Sequence, residues 1–407
     1  MFSLSLKNNT LISLLFAVFL ITSVNVEHGM GISAILMLLV SVVGLIVTRG
    51  LDYPSLQSWE KYWLTSLFFF VGLVYVDVLR GFGDISDIDS QSRLLLAIPV
   101  YLYVRRVGAN LNIVLTGVFI AAIVTGVFAW YQHVELGIYR AHGITNAIYY
   151  GNIVMMLFLF SLIGAISVKN IRLKMLMGIA IFFALYAVFS SGARGGWIVI
   201  PSLFFLLTYY NIWNVPIWKR LTVLILGISI LIGAYQSPDL IVKQRVNQAV
   251  EQVSDYFSDN RMSSVGHRLE MWKASYLSAK DHSFLGAGEN SYRPEVRRLS
   301  QEGRVHKDLN KFVDPHSQYF NSLLDQGIAG LVSLLLIFLI PLKFLTNYLN
   351  NYSSISSISS VIPTAILLVF MEFMLTISAL EIQILSLFFS FSLSIFLGLF
   401  TYNKGEV

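Results

Sequence analysis

The composition excludes an ordinary soluble protein. Of 407 residues, 56% are hydrophobic and 13% are charged, with a formal net charge of +5, whereas soluble domains are roughly 45–50% apolar and about 25% charged. Cysteine is absent, so disulfides and thiolate metal sites are excluded, and we expect a lipid bilayer rather than a nucleic acid as the main partner.

Apolar runs recur along the chain, most of them long enough to cross a hydrocarbon core about 30 Å thick. Because lipid cannot satisfy backbone polar groups and the runs show no strict alternation, we expect helices rather than barrel strands. The sequence predicts an all-α polytopic membrane protein with about twelve transmembrane helices, of which the fourth is short and the last two nearly touch. They are Thr10–Val26, Ile32–Val47, Tyr62–Leu79, Arg93–Val104, Leu111–Tyr131, Ala147–Val168, Met175–Ser190, Gly196–Tyr210, Leu221–Gln236, Tyr319–Leu342, Val361–Leu380 and Glu381–Tyr402.

Basic residues are distributed unevenly between alternate connections. Twelve fall on one side, from Lys7 to Lys404, whereas the short connections on the other side carry only Arg80, Arg93, Arg140 and Arg194. The positive-inside rule places the richer side in the cytoplasm. Both termini are therefore predicted to be cytoplasmic.

A long outer connection, Ser237–Asp314, separates the ninth and tenth spans. Apolar residues recur at helical spacing in Asp239–Phe257 and in Ser264–Lys280, which predicts two amphipathic helices. Phe284–Gly288 is typical of a turn, and Asn290–Lys311 is expected to be irregular. The predicted division is residues 1–236 with spans one to nine, a loop domain over residues 237–317, and residues 318–407 with spans ten to twelve.

Arg194 lies in a glycine-rich turn at the outer end of the seventh and eighth spans. An arginine near a span end usually extends to the lipid headgroups. Gly195 and Gly196 favour a different interpretation, because they leave room for a ligand to approach both the backbone and the guanidinium. A guanidinium suits phosphate oxygens, and a following helix N-terminus attracts anions.

Two further residues are candidates for chemistry. His316 follows Asp314 where the long loop returns to the membrane, and it is either an interfacial anchor or a base oriented by that carboxylate. Arg268 is either a second phosphate ligand or a solvent-facing side chain resting on Trp272, four residues further along the helix. Arg140 and Glu381 are weaker candidates for substrate contacts, and no metal-ligand spacing is present.

Three motifs in this order resemble the bacterial O-antigen ligase and polymerase superfamily. They are SSGARGGW at Ser190–Trp197, RLEMWKA at Arg268–Ala274 with FLGAG at Phe284–Gly288, and HSQYFNSLLDQGIAGL at His316–Leu331. Ser317 stands where such proteins frequently have asparagine. The resemblance implies an inner-membrane glycosyltransferase that inverts the anomeric carbon without a metal or cofactor.

The resemblance also implies roles and partners. His316 would be the general base, and Arg194 and Arg268 would hold the pyrophosphate at the periplasmic face. The donor would be an O-antigen linked to undecaprenyl pyrophosphate, and the acceptor would be the lipid A core of lipopolysaccharide. Gly195, Gly196, Trp272, Arg140 and Glu381 would be further substrate contacts, the last three more weakly supported.

The ligase is the favoured member of the superfamily, because twelve spans with one large periplasmic loop between spans nine and ten are typical of ligases. The O-antigen polymerase is the nearest alternative. A protein O-oligosaccharyltransferase is usually longer, and a lipid-linked glycan transporter would place charges and broken helices near the middle of the membrane.

Overall fold

The computed structural model describes residues 2–48, 55–193, 242–257, 264–351 and 358–405, with isolated positions between 199 and 237. The secondary structure of these residues is helical, without a β-strand. The α-helices are α1 (Phe2–Thr22), α2 (Gly29–Val47), α3 (Ser58–Leu79), α4 (Ile88–Leu96), α5 (Ile98–Val107), α6 (Leu111–Trp130), α7 (Ala147–Ser167), α8 (Ile171–Ser191), α9 (Val242–Phe257), α10 (Ser264–Asp281), α11 (Tyr292–Gln301), α12 (Gln318–Asp325), α13 (Gly327–Asn351), α14 (Ile358–Phe373) and α15 (Gln383–Gly405).

Seven of these helices, namely α2, α3, α6, α7, α8, α13 and α15, are long and apolar enough to cross a membrane, and α1 and α14 contain shorter apolar helices. Large apolar side chains such as Ile35, Leu39 and Val43 are exposed on α2, as expected for a surface in contact with lipid. The chain is therefore a multi-pass helical membrane protein. The count of twelve stays a prediction, because Gly196–Tyr210 and Leu221–Gln236 lie almost entirely outside the described residues.

Three predicted spans have different boundaries in the structure. Arg93–Val104 is divided between α4 and α5, and Pro99 lies in the first turn of α5, where its missing N–H costs little. Val361–Leu380 stops being helical at Phe373. The tenth span starts with the short helix α12, and α13 begins only at Gly327.

The loops that join the helices at one end of the bundle lie close together. α1 runs antiparallel to α15, with the ring of Phe19 6.1 Å from that of Phe388 and the ring of Phe16 5.6 Å from that of Phe396. The end of α1 therefore adjoins the start of α15. The Ile144 N–H donates to the carbonyl of Val24, which brings the loop over residues 136–146 to the same end. We call this the site end.

A buried ion pair fixes the opposite end of the bundle. Glu60, in the first turn of α3, is fully buried and lies 2.7 Å from the Nε of Arg105 on α5. The hydroxyl of Tyr101 donates to the same carboxylate. Because a buried carboxylate is tolerated only when it is paired and hydrogen-bonded, these contacts fasten α5 to α3.

The described residues between 264 and 325 contain a small folded unit with its own core. The two helices predicted in the loop are present as α9 and α10; α9 is amphipathic, but α10 is not, since it buries Ser275 and Ser278 and exposes Tyr276. The prediction of irregular structure over Asn290–Lys311 is wrong, since this segment holds α11 and a 3₁₀-helix (Lys307–Lys311). α11 is strongly amphipathic and buries Tyr292, Val296 and Leu299. This helix was not predicted, because most of its other residues are charged or polar. The core of the unit is Met271, Ala274, Tyr292, Val296, Leu299, Val305, Leu309 and Leu324.

Candidate active site

His316 is held by the residue two positions before it. The Oδ1 of Asp314 accepts hydrogen bonds from the backbone N–H of His316 at 2.5 Å and lies 2.8 Å from its Nδ1. Aspartate followed by proline favours such a turn. His316 has a φ of 50°, a conformation that residues other than glycine adopt rarely and mostly at functional sites. Because Nδ1 faces a carboxylate, Nε2 is the nitrogen left to exchange a proton with a ligand.

The residues after His316 are tied to the segment between α14 and α15. The hydroxyl of Ser317 donates to the carbonyl of Met374, and the hydroxyl of Tyr319 donates to that of Met371. The backbone N–H of Gln318 donates to Met374, and its side-chain oxygen accepts from the N–H of Leu380. After the end of α14 at Phe373, the carbonyls of Met374 and Ile377 therefore accept hydrogen bonds from Ser317 and Gln318.

α10 lies over the His316 segment. The ring of His267 is 5.2 Å from that of Phe312, which in turn meets the ring of His316 edge-on at 5.8 Å. One turn along α10, Trp272 stacks on Phe320 at 5.2 Å. The structure thus brings α10, which carries Arg268 and Trp272, next to the turn that holds His316.

Arg268 lies between these two contacts on α10. Among the described residues it makes no ion pair, hydrogen bond or ring contact, so the stacking on Trp272 expected for the alternative interpretation is absent. Burial lowers the pKa of its guanidinium, because desolvation disfavours the charged form. A half-buried guanidinium without a carboxylate is suited to binding an anionic ligand.

Glu381 lies close to the same segment and is hydrogen-bonded by two glutamines. The side-chain amide of Gln318 donates to its Oε1 at 3.1 Å, and that of Gln91 donates to its Oε2. Burial is the largest influence on Glu381 and, with the nearby charge of Asp314, raises its pKa to about 7. Gln318 lies two residues after His316, so this carboxylate is hydrogen-bonded to the segment that holds the candidate base.

Two more carboxylates, Glu289 and Asp325, are buried close to α12. Asn321 donates to Asp325 at 2.9 Å, and Gln326 donates to Glu289 at 2.9 Å. Burial, followed by the charge of Glu381, raises the pKa of both carboxyls well above the usual range. The described residues contain no group of three or more histidines and carboxylates placed to hold a metal ion.

The motif Phe284–Gly288 wraps around the break between α12 and α13. Its N–H groups at Ala287 and Gly288 donate to the carbonyls of Leu324 and Asp325 at 2.8 and 2.9 Å. Gly286 and Gly327 both have positive φ, and a Cβ on either would lie 2.5 Å from the backbone nitrogen of the other. The glycines of two separate motifs are therefore required by one close backbone contact.

The remaining sequence candidates are placed as follows. Arg140 lies at the site end, where its Nε donates to the carbonyl of Ser191 at the last residue of α8. Arg194, Gly195 and Gly196 lie outside the described residues. Sequence reasoning missed Gln318, whose role depends on a turn that only the folded chain reveals.

Comparison with known proteins agrees with the motifs. Residues 179–335 match the family model described as O-Antigen ligase. A protein of Haemophilus influenzae described as uncharacterized is 28% identical over 340 residues, covering 82% of this chain and 84% of its own length. The matched segment includes α10, α12 and the His316 turn. Residues 179–335 are therefore similar to the O-antigen ligase family, and this match supports the resemblance to the O-antigen ligase and polymerase superfamily.

Proposed function

We propose that this protein is an O-antigen ligase of a bacterial inner membrane. It transfers O-antigen polysaccharide from undecaprenyl pyrophosphate to a sugar hydroxyl of the lipid A core, with inversion at the anomeric carbon and without a metal. The observation that carries the proposal is the Asp314–His316 pair beneath α10, where the base is oriented and where Arg268, which has no partner among the described residues, lies on the covering helix.

The proposed reaction has one displacement step. Nε2 of His316 accepts the proton of the acceptor hydroxyl while its oxygen forms a bond to the anomeric carbon of the donor. The bond from that carbon to the pyrophosphate oxygen breaks, and undecaprenyl pyrophosphate leaves with the bonding electrons. Asp314 keeps the imidazole oriented and stabilises the imidazolium. The base contributes on the order of 10² to 10⁴ in rate.

Arg268 and Arg194 are proposed to hold the pyrophosphate. Negative charge develops on the leaving group, and cations fixed at that position stabilise the transition state, each by roughly 3 kcal/mol in a site protected from water. The desolvation of Arg268 supports this role, because an interaction with phosphate is stronger where water is excluded. Trp272, Glu381 and the glycines Gly195 and Gly196 are proposed as further substrate contacts.

The test is the lipopolysaccharide of cells that lack the gene. A ligase is expected to leave bare core together with accumulated lipid-linked polymer, whereas core carrying a single repeat unit would indicate a polymerase instead. An unchanged pattern would contradict both functions. Complementation with His316→Ala or Arg268→Ala is expected to fail at normal protein levels, while His282→Ala, a change of an exposed histidine in the same loop unit, restores the wild-type pattern.

A purified system then tests the chemistry. Transfer from the lipid-linked donor to lipid A core is expected to continue in the presence of a chelator, and loss of activity there would contradict the metal-free mechanism. A His316→Ala protein that transfers glycan at the normal rate would refute the role of the base.

A further inference from the structure

Phe284, the first residue of the Phe284–Gly288 motif, is exposed at a fixed position. Its side chain is 69% exposed, more than that of any other large apolar residue described between 264 and 325. Its backbone carbonyl accepts a hydrogen bond from the N–H of Ala329 at 3.2 Å, and the carbonyl of Ser283 accepts one from the N–H of Ile328 at 3.1 Å. These bonds hold Phe284 beside the first turn of α13.

The first turn of α13 begins a row of exposed apolar side chains. Residues three or four positions apart lie on one face of a helix, and the exposed side chains of this row have that spacing: Ile328, Val332, Leu336 and Leu339. Because α13 is long and apolar enough to cross a membrane, this face contacts acyl chains. Phe284 extends the row beyond the start of the helix.

The end of α3 reaches the same place. Trp59, near the start of α3, stacks on Phe344, towards the end of α13, with ring centroids 4.3 Å apart. Just after the other end of α3, the ring of Phe82 lies against the motif, since a Cβ on Gly288 would be 2.3 Å from its Cγ. The two helices therefore run antiparallel, and the end of α3 lies beside the start of α13. Leu79, the last residue of α3, is 86% exposed.

Arg80 lies at the edge of these apolar side chains. Its guanidinium is 4.9 Å from the centre of the Phe82 ring and pairs with Asp77 at 2.9 Å. An arginine at the end of a span usually extends to the lipid headgroups while its stem packs on apolar groups. Contiguous exposed apolar side chains mark a site of protein or membrane contact, and continuity with the lipid-facing row of α13 favours the membrane. We call the exposed or half-buried apolar residues at this place the apolar rim: Leu79, Phe82, Ile85, Phe284 and Ile328.

We propose that the apolar rim inserts among the acyl chains of the leaflet at the site end. Phe284 thereby anchors the loop unit to the membrane, because the transfer of an aromatic side chain from water to an apolar environment is favourable. The turn that Phe284 begins also holds the end of α12, so this anchor sets the height of the His316 turn above the lipid. The contact requires no glycosyl transfer and stands apart from the proposed reaction.

The absence of cysteine allows one spin label to be placed at a time. Full-length protein carrying Phe284→Cys is labelled with a nitroxide in nanodiscs of phosphatidylcholine and phosphatidylglycerol. Electron paramagnetic resonance then compares two relaxation agents: oxygen, which is concentrated among acyl chains, and a nickel chelate, which stays in water. Oxygen is expected to have the larger effect at position 284 and in Val332→Cys, on the lipid-facing row. The nickel chelate is expected to have the larger effect in Arg297→Cys, which changes an exposed residue of α11.

Two outcomes at position 284 would overturn the proposal. A larger effect of the nickel chelate would place the side chain in water, and protection from both agents would show that protein covers it, either a partner or a second copy of this chain. Ile85→Cys leaves Phe284 in place and replaces Phe284→Cys if that variant does not fold. A larger effect of oxygen at position 85 supports the insertion of the rim, whereas a larger effect of the nickel chelate or protection from both agents there overturns it.

Discussion

The contact between Gly286 and Gly327 allows a sharp test of how the loop unit is joined to the bundle. Replacing Gly327 with alanine perturbs it in two ways. The residue has a φ of +65°, and the new Cβ would lie 2.5 Å from the nitrogen of Gly286 and from the oxygen of Phe284. Both neighbours are backbone atoms, so neither can move aside as a flexible side chain would.

The expected free-energy cost of Gly327→Ala is the sum of a backbone-strain cost and a steric-clash cost. An L-residue in the left-handed region costs roughly 1–2 kcal/mol, and overpacking a closely packed contact costs roughly 1–3 kcal/mol more. A total of about 3 kcal/mol corresponds to about a hundredfold increase in the population of the open contact, at 1.4 kcal/mol per factor of ten.

Hydrogen exchange at the amides of Ala287, Gly288 and Ala329 measures this opening directly, because each of them bridges the two motifs. Gly303→Ala is the matched control, since Gly303 has a φ of +70° with nothing within 4 Å of its Cβ position. Gly303→Ala therefore has the cost of a positive φ but no steric clash. If Gly327→Ala exchanges no faster at these amides than Gly303→Ala does, the close backbone contact is not what holds the motifs together.

Three other changes are expected to have separable effects. Asp314→Asn keeps the turn but removes the charge that orients His316, so the transfer rate should fall by about 10² to 10⁴ with an unchanged unfolding midpoint; a normal rate would show that the carboxylate is not required. Glu60→Gln removes the buried carboxylate charge that pairs with Arg105 and should destabilise the protein by about 3 kcal/mol, measured by thermal unfolding in detergent. Glu381 has a pKa raised from 4.5 to about 7, so the folded state binds its proton more tightly than the unfolded state does. Its contribution to the free energy of unfolding should therefore fall by up to about 3 kcal/mol between pH 4.5 and 7 and stay level above, and Glu381→Gln should flatten this part of the pH dependence.

The sequence predicts those parts of the fold that depend on composition and periodicity. The apolar runs of α2, α6 and α7 correspond closely to single helices, because crossing lipid requires an uninterrupted helix of that length. The loop helices α9 and α10 follow from apolar residues at helical spacing. The break at Ala97 was not predicted, because Arg93–Val104 is apolar enough to suggest one span, although Pro99 in the first turn of α5 is a local signal for a new helix start.

Within the candidate site, the sequence identifies the residues that carry chemistry but not those that position them. The ionisable side chains of His316, Asp314 and Arg268 are typical of catalysis or anion binding, so the sequence alone indicates them. Gln318 does not, because a glutamine can form many kinds of hydrogen bond, and its two partners, Glu381 and Leu380, are more than sixty positions away. Local residue spacing does not predict hydrogen bonds between residues so far apart in the sequence.

The contacts around His316 also explain why the motifs occur together. Gln318 ties the start of α12 to the loop before α15, while the end of α12 is tied to the Phe284–Gly288 turn that follows α10. A displacement of either tie would move His316 relative to α10, since α12 is only eight residues long and lies between them. The glycines at 286 and 327 thus affect the position of the base even though neither contacts it, and a loss of activity in Gly327→Ala is expected to accompany faster exchange at the Ala287 amide.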